Sequence, residues 1–325
     1  MKVELSVVIC THEPRRDYLD RTIASLKEQR LSKNEWELII VDNASSAEKP
    51  VIADLSWHVN ARLVREAKLG LTMARLRGIS ESRGALMVFV DDDNVLAPDY
   101  LEVALDLSTN YSQLGVIGSG CIVPEFEEEP DQELKPYLPM LALREIDRVH
   151  WSNDPTDNQI PWGAGMVVRR SVAERYLALI LEDPMKQGLD RAGTMLNSCG
   201  DDEFSWVACG IGLGKGLFPQ LKLVHLIGRS RVERSYLLRL AEGHAFSHAL
   251  LDHLHGVRPK KGLPPPAVKS LFIKLMRLRL SEARWEARRL WGRKPKPSAT
   301  QRAFSEARSA GKLRFENFIS SRNGH

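Results

Sequence analysis

The chain predicts an α/β fold, a Rossmann-like and mostly parallel central sheet with helices on both faces, and three observations carry that expectation. Short apolar runs alternate with helix-length stretches through the first 110 residues, the rhythm of β-α-β units. Polar and acidic residues collect at the same end of three of those runs, where open α/β sheets bind ligands. A third observation sets the far end apart: residues 256–325 hold 18 Lys+Arg against 4 Asp+Glu, a net of +14, while the first 255 carry −10.

The elements follow in order. Leu5 to Cys10 is a first strand, followed by a turn around Pro14 and a helical stretch from about Asp17 to Arg30. Trp36 to Val41 is a second strand, and Ala61 to Arg65 a weaker third. A helix from Leu71 to Ser82 leads into the apolar run Ala85 to Val90, which ends in Asp91-Asp92-Asp93. After residue 110 the pattern changes. Leu114 to Cys121 reads as a strand, Glu125 to Asp131 as a loop, and residues 130–160 are rich in Pro and Asp with weak periodicity. Trp162 to Val168 resumes a strand, with Gly163 and Gly165 where a ligand or backbone can approach closely. Residues 201–210 and 233–255 read as helices. Gly210 to Gly216 lacks both the P-loop pattern, since Cys209 and Gly216 stand where Gly and Ser/Thr belong, and the dinucleotide fingerprint; it reads as a turn. Gly262-Leu-Pro-Pro-Pro266 breaks any helix and marks a boundary.

Composition narrows the class. A chain of 325 residues with 43% hydrophobic content supports a sizeable core. No run approaches the ~18 apolar residues of a membrane-spanning helix, and the start lacks a secretory apolar core. The four cysteines, Cys10, Cys121, Cys199 and Cys209, form no Cys-x-x-Cys pair, which points to a reducing cytoplasm rather than a zinc or disulfide framework.

Three adjacent carboxylates at the mouth of a core strand repel one another and call for a cation. Oxygen donors suit Mg²⁺ or Mn²⁺; the alternative is a solvated acidic turn punctuated by Asn94 and Pro98. Asp201, Asp202 and Glu203 form a second acidic cluster opening a helix. They are either helix-cap and dipole partners or the source of a general base that takes a proton from a hydroxyl nucleophile. His225 closes the apolar run Leu221 to His225 and is either structural or a contact to metal or phosphate.

The ordered set Ser6-Val-Val-Ile-Cys-Thr11-His, Val41-Asp42-Asn-Ala-Ser45, Gly70-Leu-Thr-Met-Ala-Arg75, Val90-Asp-Asp-Asp-Asn94, Gly163-Ala-Gly-Met and Gly200-Asp-Asp202-Glu resembles family 2 glycosyltransferases of the GT-A fold over residues 4–255. The resemblance implies that Thr11, Glu13 and Asp42 hold the base and ribose of a nucleotide-sugar, and that Gly70 and Arg75 lie near base and diphosphate. It implies that Asp91 and Asp93, with His225, hold Mn²⁺ or Mg²⁺ against the diphosphate, and that Asp92 lies on the nucleotide-sugar side. Asp202 becomes the catalytic base, with Trp162, Gly163, Gly165 and Asp201 around the sugar or acceptor. The family carries Pro, Asn, Asn and Glu where Cys10, Lys68, Leu76 and Asp201 stand here. On this reading residues 1–255 are the catalytic domain, with a nucleotide-binding half (1–110) and an acceptor and catalytic-base half (111–255). Residues 256–325 are a basic helical extension.

The implied function is inverting, metal-dependent transfer of a sugar from a nucleotide-diphospho-sugar, with a uridine-diphosphate sugar as default donor, to a saccharide or lipid-linked acceptor in polysaccharide or glycoconjugate synthesis. Nucleotidyl transfer is the rival enzyme reading, but Thr11-His-Glu-Pro-Arg-Arg lacks the glycine-rich loop such enzymes carry. The rival from another class is a polyanion- or membrane-surface-binding protein with a degenerate catalytic domain. The mixed apolar and basic run Leu271 to Leu280 suits either an anionic membrane at the inner face of a cytoplasmic location or a helix packed on the catalytic domain. The acidic body and scarce tail aromatics argue against nucleic acid as partner.

Overall fold

The computed structural model describes residues 3–257 and 297–323. Ten strands form one sheet. They are β1 (Leu5–Thr11), β2 (Trp36–Asn43), β3 (Ala61–Glu66), β4 (Leu86–Asp91), β5 (Asn94–Leu96), β6 (Leu114–Phe126), β7 (Arg144–Glu145), β8 (His150–Ser152), β9 (Met166–Arg169) and β10 (Gly214–Ile227). The main path runs β3-β2-β1-β4-β9-β6-β10-β5, with β7 on β6 and β8 on β10. The β3-β2-β1-β4 half is parallel. In the other half β9 is antiparallel to both of its neighbours and β5 to β10, while β6 and β10 pair in parallel.

Helices cover both faces because side chains along a strand alternate between them. Leu5, Val7 and Ile9 of β1, Leu38 and Ile40 of β2, and Val88 and Val90 of β4 point to one side. There they meet Leu19, Ile23 and Leu26 of α1 (Arg16–Lys27) and Leu101, Ala104 and Leu107 of α3 (Tyr100–Asn110). The intervening Val8, Ile39, Val41, Met87 and Phe89 point to the other. That face packs on α2 (Leu71–Glu81), α4 (Arg170–Glu182) and α5 (Gly200–Gly210) through Ala74, Ile79, Val172, Tyr176, Phe204 and Val207. Each such side chain contributes about 1.5–3 kcal/mol by leaving water. Glu37 brings a charge inside this frame: it is fully buried on β2, satisfied by Ser6 Oγ (2.7 Å), Arg62 (2.8 Å) and Arg83 (2.9 Å).

Three sequence expectations shift, one of them the turn read over Gly210–Gly216, where β10 already begins at Gly214. The stretch expected as a strand from Trp162 is a turn until Met166, because the Gly163 N–H is drawn to Asp201 Oδ2 (2.7 Å) and Gly165 takes φ +75°. Glu125 and Phe126, expected in a loop, are the last residues of β6, which pairs with β10 as far as Phe126.

Beyond the sheet, α6 (Arg234–Leu254) receives the last helix, α7 (Ala299–Asn323). Phe304 is buried with Leu237, Leu240 and Ala241 and stacks on Tyr137 at 3.5 Å, while Phe315 and Phe318 edge onto Phe246. The described end of the basic extension therefore packs on the body. The mixed run Leu271 to Leu280, expected to meet either a membrane or the body, lies outside the described residues. No helix among the described residues is long and apolar enough to cross a membrane.

Candidate active site

A cavity of about 900 Å³ opens over the carboxyl ends of β1, β2 and β4. Parallel register puts it there: Thr11 lies beside Asp42, and Cys10 beside Asp91, so three polar strand ends emerge side by side. The Thr11 hydroxyl donates to the Asp92 carboxylate. Asn43, one residue past Asp42, acts as a staple. Its amide donates to the Lys68 carbonyl (2.8 Å) and its Oδ1 accepts from the Gly70 N–H (2.8 Å), which brings Gly70 and the start of α2 to the cavity wall.

The three aspartates at the end of β4 do not share one environment. Burial, then the charge of Asp93, raises the Asp91 carboxyl above its usual range, and no salt bridge reaches it among the described residues. Burial and Asp93 likewise push Asp92 up to about 7, opposed by the Thr11 hydroxyl. Asp93 goes the other way. Burial opposes its charge, but His225 Nε2 at 3.3 Å and Arg231 Nη1 at 2.6 Å hold the carboxyl well below normal. His225 stands opposite Asn94 where β10 meets β5, so the sheet itself brings it to the triplet.

Arg75 of α2 is 3% exposed and bridges two carboxylates, Asp190 Oδ2 at 2.9 Å and Asp201 Oδ1 at 2.5 Å. Asp190 also accepts from Thr72 Oγ1 (3.0 Å) and the Gly200 N–H (3.2 Å). The arginine expected beside a diphosphate thus has its guanidinium committed to fixing Asp201 and the start of α5. Gly163 is required at this point: a Cβ there would stand 2.5 Å from Arg75 Nη2 and 3.1 Å from Asp201 Oδ1.

Asp202 follows Asp201 in the first turn of α5, where the helix dipole favours negative charge. It is half-buried at the cavity wall, and no salt bridge reaches it among the described residues. Burial, then the charge of Asp201, pushes its carboxyl up to about 7. Trp162 lines the same cavity with Arg144 stacked on its ring, 3.6 Å from the centroid. Lys215, on the buried start of β10, donates its ammonium to the carbonyl oxygens of Pro155 (3.4 Å) and Asp157 (2.5 Å), pinning a loop that lines the cavity.

Of the residues expected from sequence, Thr11, Gly70, Arg75, Asp91, Asp92, Asp93, Trp162, Gly163, Asp201, Asp202 and His225 converge on this cavity. Three do not line it. Glu13 faces an adjoining cleft that shares Asp92 and Asp93, and its carboxylate pairs with Lys49 at 2.9 Å. Asp42 turns into its own loop, pairing with Arg65 at 2.7 Å and accepting from the Ser45 N–H at 3.0 Å. Gly165 is a packing residue: a Cβ there would collide with the Tyr100 hydroxyl and Ser119, which bond to each other at 2.6 Å in the core. Sequence reasoning missed Asp190, Arg231 and the buried Lys215. Asp190 and Arg231 stand outside any motif, and Lys215 lies in a glycine-rich stretch that reads as a turn.

A mixed sheet with carboxylates gathered at the ends of its parallel strands, and a second acidic cluster lining the same cavity, has the layout of an α/β enzyme that binds its ligand beyond the strand ends. The family model described as Glycosyl transferase family 2 matches residues 6–177, just over half the chain, and this protein belongs to that family.

Curated relatives agree in class. The putative glycosyltransferase EpsH of Bacillus subtilis is 28% identical over 34% of this chain and 31% of its own length. The glucosyl-dolichyl phosphate glucuronosyltransferase of Haloferax volcanii is 24% identical over 38% and 40%, respectively. The validoxylamine A glucosyltransferase of Streptomyces hygroscopicus subsp. jinggangensis is 26% identical over 46% and 37%. The chain spans between about 31% and 40% of the length of these relatives.

Proposed function

We propose that this glycosyltransferase transfers a sugar, with inversion, from a nucleotide-diphospho-sugar to an acceptor hydroxyl, and that Asp202 is the base. The observation that carries the reading is the place of Asp202: a cavity-facing carboxylate with no salt bridge among the described residues, its pKa pushed up to about 7 by burial and then by Asp201. A base is most effective when its pKa lies near the working pH. Arg75 and the Gly163 N–H fix Asp201, and Asp201 in turn supplies the charge that raises Asp202. The attacking hydroxyl gives its proton to Asp202 as its oxygen bonds to the anomeric carbon, and the nucleoside diphosphate leaves from the opposite face.

Asp91 and Asp93 fit a divalent cation. They present oxygen donors to the cavity, and burial, then the charge of Asp93, raises the Asp91 carboxyl, a cost that a bound cation would offset. Mn²⁺ or Mg²⁺ bound there would neutralise charge on the leaving diphosphate. Asp93 shares its negative charge with Arg231 and His225, which places two further cation-capable groups on the same side of the cavity. Thr11, Gly70 and Asn43 shape the nucleotide side, and Trp162 gives the sugar or acceptor an aromatic face.

A uridine-diphosphate sugar is the first donor to test. A relative whose name carries a dolichyl phosphate and another whose name carries validoxylamine A support trying lipid-linked and soluble saccharide-like acceptors alike, with the enzyme working in the cytoplasm. The deciding experiment screens nucleotide-sugars with Mn²⁺ by thermal shift, because ligand binding raises apparent stability by mass action, and follows nucleoside-diphosphate release. Stabilisation and release with one donor are expected. Pyrophosphate formation from a nucleoside triphosphate and a sugar phosphate, with no nucleotide-sugar response, would overturn the proposal in favour of nucleotidyl transfer.

A further inference from the structure

A second group of metal-ligating side chains lies on the Asp202 side of the cavity, built from donors unlike those of Asp91 and Asp93. Cys199 stands immediately before α5, Asp202 follows in its first turn, and His248 comes from α6. The i, i+3 spacing of Cys199 and Asp202 places them on one side of the helix start. One ligand atom from each of the three residues lies within 4.8 Å of the other two, and Cys199 Sγ is already 3.5 Å from His248 Nδ1. A tetrahedral zinc ion, with bonds of about 2.3 Å to sulfur and about 2.0–2.2 Å to nitrogen and oxygen, holds its ligand atoms roughly 3.3–3.6 Å apart. The cysteine–histidine pair meets that spacing, and the carboxylate reaches it by a movement of about an ångström.

The donor set is also selective. Thiolate and imidazole favour Zn²⁺, whereas Mg²⁺ and Mn²⁺ prefer oxygen alone. Cys199 is fully buried, with Asp202, Asp190, Asp201 and Asp252 all close enough to act on it. Burial, then those carboxylates, hold the thiol protonated, and the same carboxylates favour a dication that would replace the proton. His248 is exposed, which gives the ion a way in.

We propose that Cys199, Asp202 and His248 form a Zn²⁺ site whose occupancy ties up the Asp202 carboxylate and switches transfer off. Binding of the ion stands on the geometry alone; the inhibition rests on the assignment of Asp202 as base.

Co²⁺ titrated into the full chain is the direct probe, because a cysteine ligand produces a thiolate-to-metal charge-transfer absorption. One equivalent is expected to generate that band, and Cys199→Ser and the exposed-site variant His248→Ala each to abolish or strongly reduce it. In transfer assays run in excess Mn²⁺, Zn²⁺ is expected to inhibit the unaltered protein, and Cys199→Ser to need at least tenfold more Zn²⁺ for the same inhibition. A full band in both variants, or no band in the unaltered chain, overturns the site. Equal Zn²⁺ sensitivity with and without Cys199 overturns the switch and assigns the inhibition to another site. A Cys199-dependent band together with undiminished transfer upholds the metal site and overturns the base assignment beneath the switch.

Discussion

Replacing Arg75 with Met keeps most of the side-chain volume and removes the charge that holds two carboxylates together. Arg75 and Asp190 are almost fully buried, with side chains 3% and 4% exposed, and Asp201 is 18% exposed. Water therefore cannot replace the guanidinium. Removing one partner of a buried ion pair costs about 3–5 kcal/mol, because the charge left behind is uncompensated. For a chain of this size the urea dependence is about 3 kcal/mol per molar or somewhat more, so the unfolding midpoint is expected to fall by roughly 1–1.7 M.

The penalty must also depend on pH. Burial already raises Asp190 despite Arg75, and without the arginine its folded-state pKa rises further above the unfolded value. A group raised in this way binds protons preferentially in the folded state, so its destabilisation is largest at high pH and shrinks as pH falls. Urea unfolding of Arg75→Met and the unaltered chain at about pH 8 and about pH 5 tests this, with the gap between them expected to narrow at the lower pH. A penalty below about 1 kcal/mol, or one that does not change with pH, would refute the role given to Arg75. Adding Asp190→Asn to Arg75→Met is expected to restore part of the loss, since the two residues share one interaction.

Other expectations concern catalysis and the last helix. Transfer should rise with pH through about 7 as Asp202 loses its proton, and Asp92→Asn should keep that limb although Asp92 also lies near 7; disappearance of the limb in Asp92→Asn reassigns it. Gly163→Ala drives a methyl group into Arg75 and Asp201. A displacement of this kind is expected to lower turnover about 10²-fold, while circular dichroism reports an intact fold; full activity would show that the contact yields harmlessly. Phe304→Ala empties the pocket between α6 and α7, where the ring is 1% exposed. It is expected to cost about 3–5 kcal/mol and to make α7 cleavable by protease before the sheet unfolds.

Much of this was legible in the sequence, for reasons of short range. β1, β2 and β4 each carry an unbroken apolar run ending in polar residues, so strand, direction and site side can be read from a few neighbours. The place of Asp202 at a helix start is legible because acidic residues open an apolar helical stretch, whereas its role as base is what the family resemblance implies. The rest depends on contacts between distant segments. Asp190 lies 115 positions from Arg75 and Arg231 lies 138 from Asp93, and nothing local to either marks the pairing. Lys215 sits in a glycine-rich stretch that resembles a turn, yet β10 begins at Gly214 and its pairing with β6 and β8 buries the lysine. Gly165 had the composition of a ligand-contact residue, but its neighbours Tyr100 and Ser119 come from other elements and fill the space. β9 runs antiparallel to both β4 and β6, a direction that periodicity cannot register.

The assignment of Asp202 as base is tested most directly by Asp202→Asn, measured for both donor binding and transfer. The exchange keeps the shape and removes the proton acceptor. The expected result is donor affinity within about threefold of the unaltered protein and transfer lowered by roughly 10²–10⁴-fold. Near-normal transfer by Asp202→Asn would contradict the mechanism, and the base would have to be sought among the other carboxylates of the cavity.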